Sequence, residues 1–395
     1  MKSRIHVLHL IESLGRGGAE GLLYTNLSKI NRARFDGIVC HLYDRDLHWR
    51  QPILELGYPI YSLGMTSLAD GVWGFLRLRS LLKREPVDLI HTHLYGANLL
   101  GRSAGVLMGI PVISSVHSVE FVPVLSQVYD GISSTKLRIL HFLDRLSRWV
   151  ADPEFLAVSR YAQESAVQYL AIDPDRIRVI YNAIDPGMFE PTGGDSSYLR
   201  SDLGIGAQAP VVLCVSRFHP EKGIRYLIEA VPSLARRFPD VCVLSVGGGR
   251  LEAISAHRAL AERLGVASRV RFLGVQADVR PYLQLCDVFV LPSLTEGLGL
   301  SLVEAMATER ACVATRVAAI PEVVADGRSG LLVEPADPPA LAEAIASLLE
   351  DHDLRAKMGA AGRRIVLERF NINRNIHQLE TLYEQVSRKS KAHPN

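Results

Sequence analysis

Two carboxylates eight residues apart, Glu296 and Glu304, bracket the glycine-punctuated segment Glu-Gly-Leu-Gly-Leu-Ser-Leu-Val-Glu. Carboxylates repel phosphate and accept well from hydroxyl groups. The unpaired N–H groups of a first helical turn favour an anion instead, and Gly297 and Gly299 let one approach the backbone closely. If a helix starts near Gly299, its rise of about 1.5 Å per residue lets the two acids reach different parts of one ligand. That ligand would carry a phosphate in its middle and hydroxyls at both ends, as a nucleotide sugar does. Alone, the segment also fits a capped helix with a solvated first-turn glutamate. A second turn, Ser-Arg-Phe-His-Pro-Glu-Lys-Gly, holds Arg217 and Lys222. Two cations so placed can clamp a phosphate, Arg by its planar fork and Lys as a point charge. An ordinary pair of surface charges would look the same.

The elements that must position these groups follow from apolar runs. Residues 288–292 read as a buried strand and residues 211–215 as another, so both turns lie where a strand gives way to a helix. Ligands of open α/β sheets dock there. Three further loops repeat the pattern: Gly247-Gly248-Gly249 after a strand at 241–246, Gly274 after 270–273, and the 318–322 loop after 311–314. An earlier strand series is expected at 5–10, 37–43, 89–93, 111–116, 155–158 and 178–181. Alternating strands and helices imply parallel sheets wrapped by helices. A turn-rich stretch at 186–206 separates the two series.

At 395 residues and 48% hydrophobic content, two cores are expected rather than one. A net charge of +2 sets up no global field for nucleic acid. The five cysteines are widely spaced, without metal or redox spacing, and read as small buried residues of a reducing compartment. The apolar run before Glu12 is short for a signal peptide, and no uncharged run reaches membrane-spanning length. A cytoplasmic protein is expected.

The motif order Ser-Arg217…Glu-Lys222-Gly, Gly-Gly-Gly, Glu296-Gly-Leu-Gly-Leu…Glu304-Ala and Pro321-Glu322 resembles the retaining GT-B glycosyltransferases of the glycosyltransferase 4 group (glycosyl transferases group 1). In the first half Gly17-Gly18-Ala19-Glu20, Ile-His-Thr-His93 and Ser-Val-His117 match the same group. The resemblance covers roughly residues 5 to 385. It implies an α/β GT-B fold of two Rossmann-like parallel-sheet domains facing across a cleft. Residues 1–188 would bind the acceptor and 189–370 the nucleotide sugar. A helix at 371–388 would return to the first domain, ahead of a disordered tail at 389–395.

The roles implied are these. Glu304 accepts from the ribose hydroxyls and Glu296 from the transferred sugar, while Arg217 and Lys222 neutralise the departing diphosphate. His117 faces the sugar near its reacting carbon. Gly18, Gly247, Gly248, Gly297, Leu298, Gly299 and Leu300 join Glu304 around the donor, and Gly17 and His93 lie on the acceptor side. The donor is a UDP- or GDP-sugar, and the acceptor is a hydroxyl of a glycan or lipid-linked precursor in cell-surface or exopolysaccharide biosynthesis. Catalysis across the cleft would require closure. The chain departs from the pattern in four places: Leu298 replaces a common Phe, residues 308–311 a Gly-x-Pro arrangement, Ala318-Ala319 a glycine pair, and Ala183 a glycine.

No metal or other cofactor is expected. Asp44-Arg-Asp46, Asp173-Pro-Asp175 and Asp351-His-Asp353 read as turns, caps or exposed loops. His91 and His93 are taken to point to opposite faces of their strand and so not to share an ion. Residues 75–84 form one basic amphipathic stretch. Lys136, Arg138, Arg145 and Arg148, interleaved with Leu137, Ile139, Leu140, Phe142 and Leu143, form a second. Either suits peripheral contact with the inner face of a membrane, and either suits an ordinary surface helix. Oligomeric state leaves no mark on the sequence. An epimerase of the same fold and a non-catalytic scaffold remain as rivals. A dinucleotide-binding dehydrogenase fits less well, because Gly15-Arg-Gly17-Gly18 lacks the full fingerprint.

Overall fold

A computed structural model describes residues 4–117, 134–191 and 197–392. The chain divides into two compact units, Met1–Ala183 with Ile372–Asn395, and Ile184–Asn371. The division falls five residues ahead of the expected one. Ile184 already belongs to the second unit, where its N–H donates to the Phe370 carbonyl and it bridges Asn371.

The first unit is built on a seven-stranded sheet. Its strands are β1 (Ile5–Ile11), β2 (Phe35–Tyr43), β3 (Ile60–Met65), β4 (Leu89–His93), β5 (Val112–Val116), β6 (Glu154–Ala157) and β7 (Ile177–Val179). Their order is β3-β2-β1-β4-β5-β6-β7, and every pairing is parallel. The second unit has six: β8 (Val211–Val215), β9 (Cys242–Val246), β10 (Val270–Gly274), β11 (Val288–Leu291), β12 (Ala311–Thr315) and β13 (Leu331–Val333). Their order is β10-β9-β8-β11-β12-β13, again all parallel. Near-continuous apolar strands such as Val-Val-Leu-Cys-Val are what a sheet covered on both faces requires.

Two edge strands, β3 and β13, escape the sequence reading. β13 has three residues, and β3 carries Gly64 at φ +55° beside a register shift against β2. Short or irregular edges leave little periodic signal. All five cysteines are free and buried.

The helix Ile372–Ala392 packs within the first unit against β1, β4 and the helix Gly18–Lys29. It buries Ile376, Leu379, Leu382, Tyr383 and Val386. It runs past residue 388 rather than giving way to a disordered tail there. Arg388, Lys389, Lys391 and Ala392 are all good helix formers.

Candidate active site

The strand order of the second unit reverses between β8 and β11. From β8 the chain moves outward through β9 and β10, then returns to β11 on the other side. A crevice forms beyond the strand ends at such a switch point. The two motif-bearing turns are the loops that leave β8 and β11, so topology alone sets them side by side.

Backbone contacts hold them there. The Leu294 N–H donates to the Glu221 carbonyl at 2.7 Å, tying one loop to the other. Gly223 has φ +62°, and a Cβ on it would lie 1.9 Å from the Pro292 carbonyl oxygen. Only glycine allows that approach. Gly247 is similar: φ is +144°, and a Cβ would lie 1.9 Å from the Ser216 carbonyl oxygen. Gly248 accepts from the Phe218 N–H at 2.7 Å, so the Gly247-Gly248-Gly249 loop braces the Arg217 turn.

The side chains meet in a compact charge cluster. Lys222 Nζ donates to Glu296 Oε1 at 2.9 Å, and Ser293 Oγ donates to the same oxygen at 2.8 Å. Lys222 and Glu296 side chains are only 15% and 11% exposed. Glu221, itself 10% exposed, takes Arg217 at 3.3 Å and stands 3.8 Å from Lys222. Arg217 is 63% exposed and therefore the reachable arm of the pair. His219 is held below its usual pKa, first by burial and then by Arg217, Lys222 and Arg250, against the pull of Glu221. The sequence reading gave Lys222 and Glu296 separate tasks, and the structure couples them. It also brings in Glu221, Ser293 and Arg250, which that reading did not single out. Glu221 sits inside the quoted motif, but nothing in its spacing marks it as the buried counter-charge.

The helix Leu300–Ala307 is capped by Gly299, which takes the left-handed conformation at φ +84°. Glu304 is therefore its fifth residue, over a turn inside. Burial pushes its carboxyl up from the usual 4.5 to about 7, and among the described residues that side chain has no hydrogen-bond partner. Leu298 is 2% exposed, so its side chain packs inward and only its backbone can face a ligand. Ala318, where the family pattern has glycine, keeps the left-handed conformation at φ +47°. Ala183 has no positive φ, so alanine suits that loop.

In the first unit Gly17 caps the helix that begins at Gly18. Its φ is an ordinary −90°, and a Cβ there would lie 2.1 Å from Glu20 Oε2, the movable end of a side chain. His93 is buried, and its Nδ1 lies 3.2 Å from His117 Nε2. His117 is the partly exposed member, and burial pushes its pKa down to about 4. It is a neutral imidazole at neutral pH. The expectation that His91 and His93 face opposite ways is wrong. Residues two apart on a strand share a face, and their ring centroids are 4.2 Å apart. Among the described residues, ligand-type side chains gather in metal-like geometry only at His9, His91 and His93. Asp173 serves as a cap, as expected, and Asp351, expected only among exposed loop or helix residues, caps a helix as well.

Comparison with known proteins decides the class. The model for glycosyltransferase family 4 matches residues 5–187, and the one for glycosyl transferases group 1 matches residues 209–351. The chain is 34% identical to an alpha-maltose-1-phosphate synthase of Mycolicibacterium smegmatis, over 77% of this chain and 80% of the relative. This chain belongs to the family 4, group 1 glycosyltransferases. It is also 28% identical to an Escherichia coli UDP-Gal:alpha-D-GlcNAc-diphosphoundecaprenol alpha-1,3-galactosyltransferase, covering 80% of each. Among solved structures it resembles Anabaena HepE in complex with UDP and glucose, at a TM-score of 0.83 and 25% identity, over 96% of this chain and 100% of that one. The two parallel-sheet units are those of the GT-B glycosyltransferases, and enzymes of this group draw on nucleotide-sugar donors.

Proposed function

We propose that this glycosyltransferase moves a sugar from a UDP-sugar to a hydroxyl of a glycan or lipid-linked acceptor, with retention at the anomeric carbon. The observation that carries the reading is the Lys222–Glu296 pair at the β8/β11 switch point, with the exposed Arg217 beside it. Uridine is preferred over guanosine because HepE binds UDP and the galactosyltransferase name specifies UDP-Gal. The second unit takes the donor and the first takes the acceptor.

In this reading Arg217 and Lys222 meet the diphosphate, where negative charge grows as the glycosidic bond breaks. One such contact is worth about 3 kcal/mol, roughly a hundredfold in rate. Glu304 accepts from the ribose hydroxyls and Glu296 from the sugar. The two cations take the charge-neutralising part without a metal. No carboxylate is assigned as covalent nucleophile, so the leaving phosphate takes the acceptor proton on the face it departs from. His117 serves as a neutral hydrogen-bonding group near the sugar.

A cytoplasmic protein held at the inner face of a membrane fits a lipid-linked acceptor. No helix of the described residues is long and apolar enough to cross a membrane. The contact is assigned to the helix Ser134–Ala151, whose Ile139, Phe142, Leu146, Trp149 and Val150 are 44–82% exposed along one face. Arg148, expected to contribute charge, is buried and bonded to Asp144 instead, and the side chains of Lys136, Leu137, Arg138 and Leu140 lie outside the described residues. Arg145 is exposed. The other stretch, in the helix Gly71–Arg84, buries Leu78, Leu81 and Leu82 in its own core, which makes it the weaker candidate.

Product analysis tests the reading. With UDP-sugars and a lipid-diphosphate-linked acceptor, NMR of the product should show the donor's anomeric configuration preserved. Release of free sugar and UDP alone, with no glycoside, would replace transfer by epimerase-like or hydrolytic chemistry.

A further inference from the structure

Three buried histidines of the first unit stand together, and only His93 among them has been given a part above, on the acceptor side. β1 and β4 pair with His9 opposite His91 and Ile11 opposite His93, so all three imidazoles fall on one face of the sheet. Tyr383 of the C-terminal helix closes over them, its ring 6.2 Å from His9 and 5.5 Å from His91. None of the three is more than 3% exposed. One nitrogen from each ring lies within 4.8 Å of those of the other two. His9 Nδ1 and His93 Nε2 are buried and have no hydrogen-bond partner among the described residues. Native cores rarely leave such atoms unpaired, and two in one cluster ask for a common cause.

We propose that His9, His91 and His93 bind a first-row divalent transition-metal ion, of which zinc is the type, beneath the C-terminal helix. Three imidazole nitrogens with no carboxylate suit zinc, cobalt, nickel or copper rather than the oxygen-seeking magnesium or calcium. Histidine ligands are held by a partner on the second ring nitrogen, and that support is present. His93 Nδ1 lies 3.2 Å from His117 Nε2. His91 has Nδ1 at 2.6 Å from the Tyr383 hydroxyl and Nε2 at 2.8 Å from the Ser115 hydroxyl. It joins the ion through Nε2 by releasing the Ser115 hydroxyl, which can rotate away, and keeps Tyr383 on Nδ1. With only neutral protein ligands, water or a small anion takes the fourth place. The ion would join β1 to β4 under Tyr383.

The full chain, stripped with chelator and titrated with Co²⁺, tests this. The expected result is uptake of a single ion per chain with the intense visible bands of tetrahedral cobalt, displaced by Zn²⁺. His9→Gln and His93→Gln should each weaken uptake at least tenfold. Should either variant fail to fold, zinc-edge X-ray absorption on the unaltered chain gives an independent reading: three imidazole nitrogens at about 2.0 Å. A pale octahedral cobalt spectrum, no stoichiometric uptake, or uptake unchanged in both variants would overturn the site.

Discussion

Lys222 Nζ donates to Glu296 Oε1 at 2.9 Å, joining the loop after β8 to the loop after β11. The pair is nine-tenths buried on the glutamate side, so Lys222 is held in place before the donor arrives. Breaking a buried pair leaves its partner uncompensated. Lys222→Met and Glu296→Gln are each expected to lower kcat/KM by roughly a hundredfold. The double variant should fall well short of the product of the two, because contacting residues act as one. Steady-state kinetics on the three variants checks this, and strict additivity would show that the two groups act apart.

Glu304 gives the site a pH dependence. Its carboxyl titrates near 7 because it is buried, and its charged form is the better acceptor for ribose hydroxyls. Donor affinity should therefore rise as pH increases through about 7, and Glu304→Gln should flatten that rise. The stability effect has the opposite sign. The folded state holds this proton more tightly than the unfolded chain, so stability falls as pH climbs from 4.5 towards 7 and levels off above. Glu304→Gln should then be the more stable protein at pH 8, by up to roughly 3 kcal/mol. Titrations and thermal melts at pH 5 and 8 separate the two effects.

The strand-end glycines are expected to be intolerant. In Gly223→Ala the new methyl meets the Pro292 carbonyl at 1.9 Å. The loops must separate, destabilising the fold by roughly 2–4 kcal/mol and moving Glu296 away from Lys222. Denaturant melts and donor titration should both register the change. A variant with native stability and native affinity would count against the packing described.

Ala318 runs the other way. Its φ of +47° suits glycine, and alanine there carries about 1 kcal/mol of backbone strain. Ala318→Gly relieves that strain but also loosens the unfolded chain, an opposing effect of about 0.4–1 kcal/mol. The melting temperature should therefore barely move, in contrast to Gly223→Ala. A loss of several degrees would mean that the methyl group packs usefully.

Much of this site could be read from the chain because apolar strands and glycine turns are local signals. Val288–Leu291 announces a buried strand, Gly299 the start of a helix, and Glu304 an acid over a turn inside it. Lys222 was legible as a loop cation, but its pairing with Glu296 depends on β8 and β11 being neighbours, 74 residues apart in sequence. Glu221 and His9 gave no sign at all: one hides inside a motif, the other in an apolar run. His91 and His93 were misjudged because the two-residue period of a strand was misapplied. Ala318 shows a limit of a different kind, since the backbone keeps a glycine conformation after the glycine is gone.

Calorimetric titration of UDP and UDP-sugars into the intact chain, beside Lys222→Met and Glu304→Gln, tests the central claim most directly. The account predicts saturable one-to-one binding to the unaltered protein, weakened about tenfold or more in each variant, a loss of at least 1.4 kcal/mol. No heat from any UDP-, GDP- or ADP-sugar, or binding untouched by both substitutions, would contradict it.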